Sequence, residues 1–192
     1  MSNFKSKKLI CGVDEVGRGT LAGPVVASAV ILTRGHKIKR LKDSKKLTFK
    51  TRVELSKIIR ENALSIGISI IDARIIDKIN IRQATLMAML NSVKDLSLKP
   101  DLVLIDGVDK INTPYPQMNI IGGDSKEDSI MAASIIAKVE RDKLMVIYAE
   151  KYPDFGFEQN KGYGTKFHLN ALKIKNPTPI HRMTFKPLKN KY

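Results

Sequence analysis

An α/β layered domain is expected, on three observations. Strand-like segments come first and then alternate with helical ones, short apolar runs end in glycine-bearing turns, and one of those runs is continuous enough to be a buried central strand. In chain order, Lys8 to Glu15 reads as a strand, and Val25 to Leu32 as a second after the break at Gly23-Pro24. Thr48 can cap a helix running to about Ala63, with Val53, Leu55, Ile58 and Ile59 forming much of its buried side. Ser65 to Ile71 sets Ile66, Ile68 and Ile70 on one face, the period of a strand. A short helix over 72–78 and a longer one over 81–96 follow. Leu102-Val103-Leu104-Ile105 is the continuous apolar run, ending in Asp106-Gly107. Met118 to Ile121 is another short strand, stopped by Gly122-Gly123, and a long helix then covers about 126–150. Residues 1–152 thus make up the main domain. Residues 153–192, rich in glycine, proline and basic side chains with one helix near 168–175, read as an appendage packed on it.

The 192 residues (21.5 kDa) suit one large domain, or one domain with a small appendage. Hydrophobic residues at 43% and charged residues at 28% are ordinary for a globular protein, which excludes a disordered tail, a collagen-like rod and a coiled coil. The single cysteine, Cys11, lies in the apolar run Leu9 to Val13 and reads as a small buried hydrophobe in a reducing compartment. Lys5, Lys7 and Lys8 precede only five apolar residues, too few for a secretory leader. Pro24 to Leu32 is too short to span a bilayer. A cytoplasmic protein is expected.

Thirty-four Lys and Arg against 19 Asp and Glu give a net charge of +15 and a pI near 9.9. Such a surplus points to a polyanion, most often nucleic acid, with an anionic membrane as the alternative. It is concentrated: residues 34–52 hold nine basic side chains and one acid, and residues 151–192 hold nine and two. The rest of the chain is neutral overall. Two basic segments suit a phosphate backbone; a pair of solvated lysine-rich surfaces is the plainer reading.

Four acids stand where the pattern predicts no charge. Asp14 and Glu15 end the first strand, Asp106 ends the buried strand, and Asp124 sits just before the long helix. Acids in such places are costly unless paired or bound to a cation, and strand ends about 4.8 Å apart can bring them together. Without His or Cys partners, such a set is a hard oxygen site suited to Mg²⁺ or Mn²⁺ rather than zinc. Adjacent strand residues point to opposite faces, so Asp14 and Glu15 share a site only if the strand frays or bends there. Each acid also has a structural reading. Asp124 can be a turn residue before a capping box at Ser125 to Asp128, and Asp106-Gly107 a turn dipeptide. Asp109, Asp128 and Asp142 read as surface or capping acids. The loop Gly17-Arg18-Gly19, opening directly off the acid pair, strengthens the functional reading, because backbone between two glycines can approach a sugar closely.

The run Gly12-Val13-Asp14-Glu15-Val16-Gly17-Arg18-Gly19, followed by Leu21-Ala22-Gly23-Pro24-Val25-Val26, resembles the first signature of bacterial ribonuclease HII. The resemblance continues through Asp43-Ser44-Lys45-Lys46-Leu47, Ile105-Asp106-Gly107, Gly123-Asp124-Ser125 and Ala132 to Lys138 with Arg141-Asp142. It ends with Lys161-Gly162-Tyr163-Gly164-Thr165 and Pro177 to Arg182, so it covers nearly the whole chain. Met183-Thr184 departs from the commoner Arg-Ser, which touches nothing catalytic.

The resemblance implies an RNase H-like fold: a central five-stranded mixed sheet flanked by helices, with a helical C-terminal extension. It implies an endonuclease that cuts the RNA strand of RNA/DNA hybrids and nicks at single ribonucleotides in duplex DNA, acting in ribonucleotide removal as a monomer without a membrane partner. The family's metal-binding acids fall on Asp14, Glu15, Asp106 and Asp124, its 2′-hydroxyl-reading loop on Gly17, Arg18 and Gly19, and its substrate-reading tyrosine on Tyr163. Two metal ions of Mn²⁺ or Mg²⁺ would bracket the phosphate and leave 5′-phosphate and 3′-hydroxyl ends. Lys45 and Lys46 are candidate phosphate contacts, with solvated lysines as the alternative; His168 and His181 read as structural. The rival readings are another nuclease of the same fold, such as a resolvase or integrase, and a non-catalytic RNA-binding protein.

Overall fold

The computed structural model describes residues 8–39, 41 and 48–190; Lys45 and Lys46 lie outside them. Five strands, β1 (Ile10–Val16), β2 (Val25–Leu32), β3 (Ala63–Ile71), β4 (Leu102–Asp106) and β5 (Gln117–Ile120), form one sheet in the order β3-β2-β1-β4-β5. β1 runs antiparallel to β2 and parallel to β4, so the sheet is mixed, as expected. The continuous apolar run 102–105 is indeed an interior strand.

The helices are α1 (Phe49–Asn62), α2 (Ala73–Ile79), α3 (Ile81–Lys94), α4 (Asp128–Lys151), α5 (Phe157–Asn160) and α6 (Lys166–Ile174). On one face of the sheet, α3 brings Ala84, Ala88, Met89 and Val93 onto Cys11, Val13, Ala27 and Ile31. On the other, α1 and α4 pack Leu55, Ile59, Met131, Ile135 and Ile136 around Val30. Each large apolar side chain fully buried here contributes about 1.5–3 kcal/mol relative to exposure. Burial pushes the Cys11 thiol up to about 12, in keeping with an inert hydrophobe.

Two glycines set how closely the layers approach. A Cβ at Gly12 would lie 2.1 Å from the Ser129 carbonyl carbon, and one at Gly67 would lie 2.0 Å from the Ser92 oxygen. Gly67 also explains β3. Ile66, Ile68 and Ile70 do share a face, but the face pressed under α3 carries Ser65, Gly67 and Ser69, because only small residues fit there. In α1, Thr48 caps as expected, its hydroxyl accepting from the Thr51 amide. The buried stripe is Leu55, Ser56 and Ile59, and Ile58 falls outside it, 43% exposed.

Residues beyond 152 share a third apolar cluster with the body. Phe155, Phe157, Ala171, Leu172 and Leu188 pack against Leu21, Ala22, Met145 and Ala149. The helix expected near 168–175 is α6, capped by Thr165. Among the described residues no helix is long and apolar enough to cross a membrane.

Candidate active site

β1 outruns β4. Their parallel pairing stops at Val13 and Ile105, while β1 stays paired with β2 through Val16. The strand therefore opens on one side only, and Asp14 and Glu15 stand at that opening with Asp106 at the end of β4. Asp14 is 5% exposed. Burial holds its carboxyl well above the usual carboxylate range, the charges of Glu15 and Asp106 push it further, and a hydrogen bond from Ser134 of α4 opposes them. Gly12 is what lets α4 lie close enough for that bond. Glu15 is also raised, by burial and by Asp106, against the pull of Arg18, whose Nη1 lies 3.3 Å from Glu15 Oε1.

Asp106 Oδ1 accepts the Gly123 amide at 2.7 Å, which ties the half-buried Asp124 to the same strand end through a 3-10 turn at Gly123–Ser125. The capping-box reading does not hold. Ser125 donates its hydroxyl to the Gly122 carbonyl, and α4 starts at Asp128 with no side-chain cap from Glu127. As they stand, no three His, Cys, Asp or Glu side chains among the described residues close into a ready ion cage. Asp14 and Asp106 each turn an oxygen to a backbone amide, Asp14 to that of Glu15 at 2.7 Å, and Glu15 turns one to Arg18. The donor set is nonetheless all oxygen, crowded and mutually repulsive, which suits a hard divalent cation.

The loop after β1 is braced from beneath. Arg182, fully buried, donates Nη2 to the Gly17 carbonyl at 2.6 Å, Nη1 to that of Arg18 at 2.8 Å, and Nε to that of Gly23 at 3.1 Å. Arg141, also fully buried, donates to the carbonyls of Pro24, Ala22 and Lys161 and to the Thr20 hydroxyl. Burial pulls both guanidiniums down, Arg182 to about 9. The two glycines of the loop differ. Gly17 has φ +96°, and a Cβ there would meet Arg141 Nε at 2.2 Å; a Cβ at Gly19 would meet nothing within 4 Å. Nothing within the described chain demands a glycine at 19.

Tyr163, 44% exposed, sits on a turn docked against this loop, where Gly162 O accepts the Leu21 amide at 2.8 Å. The two basic segments also meet, with Lys161 Nζ 5.9 Å from the centre of the Phe49 ring. Sequence reasoning missed the roles of Arg141 and Arg182. For Arg141 a signal existed: it continues the buried row Ala137, Met145, Ala149 at four-residue spacing. Asp142, read as a surface acid, is buried and bonded to Lys138 Nζ at 2.7 Å, since α4 is covered on that side too.

A family model for ribonuclease HII matches residues 11–188. The chain belongs to the ribonuclease HII family. Ribonuclease HII of Bacillus subtilis (strain 168) is 53% identical over 190 residues, covering 99% of this chain and 74% of that protein. Ribonuclease H2 from Pyrococcus horikoshii OT3 superposes with a TM-score of 0.81 at 25% identity, over 94% of this chain and 95% of that one. The Archaeoglobus fulgidus RNase HII, solved in complex with PCNA, gives 0.80 at 28%, over 93% and 95%. The fold is RNase H-like, and family membership makes the chain a ribonuclease H hydrolase, an endoribonuclease acting on RNA/DNA hybrids. The family is divalent-metal dependent.

Proposed function

We propose that Asp14, Glu15, Asp106 and Asp124 hold two divalent cations, Mn²⁺ or Mg²⁺, and that the chain nicks 5′ of single ribonucleotides in duplex DNA as well as cutting hybrids. The observation that carries this is the buried, mutually repulsive carboxylate set at the open end of β1, directly beside a braced glycine loop. When bound, the cations supply activated water and charge stabilisation for phosphodiester hydrolysis, leaving 5′-phosphate and 3′-hydroxyl ends. The protein's own residues do the rest. Asp14, backed by Ser134 and the Glu15 amide, is the fixed member of the set, while Glu15 would have to release its Arg18 contact to hold a cation. Gly17, Arg18 and Gly19 present backbone to the 2′-hydroxyl, the group that distinguishes ribose from deoxyribose. The space at Gly19, open within the described chain, is where the sugar would sit. Tyr163 packs its ring on the neighbouring deoxyribose. The basic segments, Lys45 and Lys46 included, follow the phosphates, and residues 153–192 act as a basic extension of a catalytic domain at 1–152. The physiological task is removal of ribonucleotides from DNA by a cytoplasmic monomer.

The test is nicking of a duplex carrying one ribonucleotide, with Mn²⁺ or Mg²⁺ and with a chelator. A single metal-dependent cut 5′ of the ribonucleotide, with all-DNA duplex intact, is expected. Cutting of the all-DNA duplex, or cutting of hybrid alone, overturns the reading.

A further inference from the structure

Two histidines take no part in the proposed chemistry, yet both lie buried between the tyrosine turn and the segment that braces the glycine loop. The Thr178 amide donates to His181 Nδ1 at 2.9 Å, and an amide can only donate, so the His181 ring proton sits on Nε2. That nitrogen lies 2.9 Å from His168 Nε2. At the far side of the second ring, His168 Nδ1 lies 2.9 Å from the Tyr163 carbonyl, which can only accept. One arrangement of protons satisfies all three contacts with both rings neutral: Thr178 to His181, His181 to His168, His168 to Tyr163. Phe155 and Phe157 wall the pair in, with ring centres 4.8 Å from His181 and 5.3 Å from His168. Burial holds both rings below their ordinary value, His181 at about 4.

The segment carrying His181 is itself pinned. Asp77 of α2 accepts from the Met183 and Thr184 amides and from the Thr184 hydroxyl. The Arg182 amide donates to the Leu21 carbonyl and the Gly23 amide to that of Ile180. Two consecutive residues therefore reach in two directions: His181 through His168 to the backbone of Tyr163, and Arg182 to the backbone of Gly17 and Arg18. The Tyr163 turn has glycine on both sides, so backbone contacts rather than side-chain packing must set where its ring points.

We propose that the His168–His181 pair, acting with Arg182, is a positioning device that registers Tyr163 against the Gly17–Gly19 loop and so sets the preference for a single embedded ribonucleotide over a continuous hybrid. This rests on the reading of Tyr163 as the residue that packs on the deoxyribose beside the cut. Both histidines are positioning residues, since neither reaches the surface to touch substrate. An isolated ribonucleotide offers one register only, in which loop and ring must both fit. A continuous hybrid offers many registers and a 2′-hydroxyl on every neighbouring sugar, so it draws less on the ring.

The test compares kcat/KM on a duplex with one ribonucleotide and on a long hybrid for Tyr163→Ala, His168→Phe and His168→Gln, with melting curves for each. His168→Phe is expected to lose about tenfold on the single ribonucleotide and less than about threefold on the hybrid, a misplacement-sized effect. His168→Gln is expected to recover most of the loss, its amide oxygen accepting from His181 and its amide nitrogen donating to Tyr163. Should His168→Phe alone fail to fold, the double variant with His181→Phe replaces both partners by apolar rings and is read by the same ratio. If Tyr163→Ala shifts the ratio and the histidine variants do not, or if they lose equally on both substrates, the positioning role is wrong and the reading of Tyr163 stands. If Tyr163→Ala itself loses equally on both, that reading falls and the inference falls with it.

Discussion

The carboxylates and the glycine loop are neighbours in sequence but are held by opposite means. Asp14, Glu15 and Asp106 ride on the ends of central strands, positioned by sheet hydrogen bonds and by the close approach of α4 at Gly12. Gly17 to Gly19 has no ladder to hold it, and its carbonyls are fixed by a guanidinium from residue 182. The proposed chemistry thus sits on the rigid scaffold and the proposed recognition on irregular backbone braced from elsewhere. The contrast shows why a site can be half legible: strand ends announce themselves in sequence, and the brace at Arg182 does not.

The largest expected effect separates the two regions. Asp14→Asn and Asp106→Asn should each lower hybrid cleavage by about a thousandfold or more while leaving hybrid binding largely intact, since charge for the cations is lost and the basic surface is not. Asp14→Asn should also melt higher than wild type in the absence of metal, by roughly 2–4 °C for each kcal/mol of repulsion relieved. Comparable cleavage rates at saturating Mg²⁺ would remove the acids from the chemistry. Next comes the brace. Arg182→Met leaves the Arg18 and Gly23 carbonyls without this donor and the Gly17 carbonyl with the Thr20 hydroxyl alone, and should cost about 3 kcal/mol in chemical denaturation, together with activity on both substrates. A variant as stable as wild type would show that the loop holds itself.

The two glycines then sharpen the comparison. Gly17→Ala must fit a Cβ into space filled by Arg141, at positive φ, and should lose both stability and activity. Gly19→Ala meets nothing in the protein, so its melting temperature should stay within about 1 °C while cleavage falls at least about tenfold. Unchanged cleavage by Gly19→Ala would mean no substrate group enters there. The smallest effect is on pH. Folded, His181 gains its proton only near 4, whereas the unfolded chain does so near 6.5. The unfolded state binds more protons between those values, so this contribution is whole above pH 6.5 and is lost as pH falls toward 4. Thermal melts of wild type against the His168→Phe/His181→Phe variant should diverge above that window and converge through it.

Much of this architecture could be read directly. Val25–Leu32, the Thr48 cap, the 102–105 run and the acids at strand ends follow from periodicity and from the cost of misplaced charge. What could not be read has physical reasons. In β3 the isoleucine alternation is genuine, but which face α3 presses on depends on Gly67 and Ser92, far apart in sequence. Asp142 looks like any helical acid until the C-terminal residues cover it. Arg182 looks like one more cation among 34, because it lies outside any helix or strand whose periodicity would mark it as buried. The His168–His181 contact links helix α6 to the turn that follows it, an approach that only tertiary packing sets.

The bond from Arg182 to Gly17 joins residues 165 positions apart. On a ribosome, the acids of β1 and the loop beside them emerge together, and the brace follows 165 residues after Gly17. The proposed recognition backbone therefore stays unbraced until residue 182 has been made, and a chain interrupted between residues 124 and 182 carries the carboxylates without a braced loop beside them. Such fragments would carry the proposed chemistry apart from the proposed discrimination, and the order of synthesis keeps the complete pairing for chains that reach Arg182.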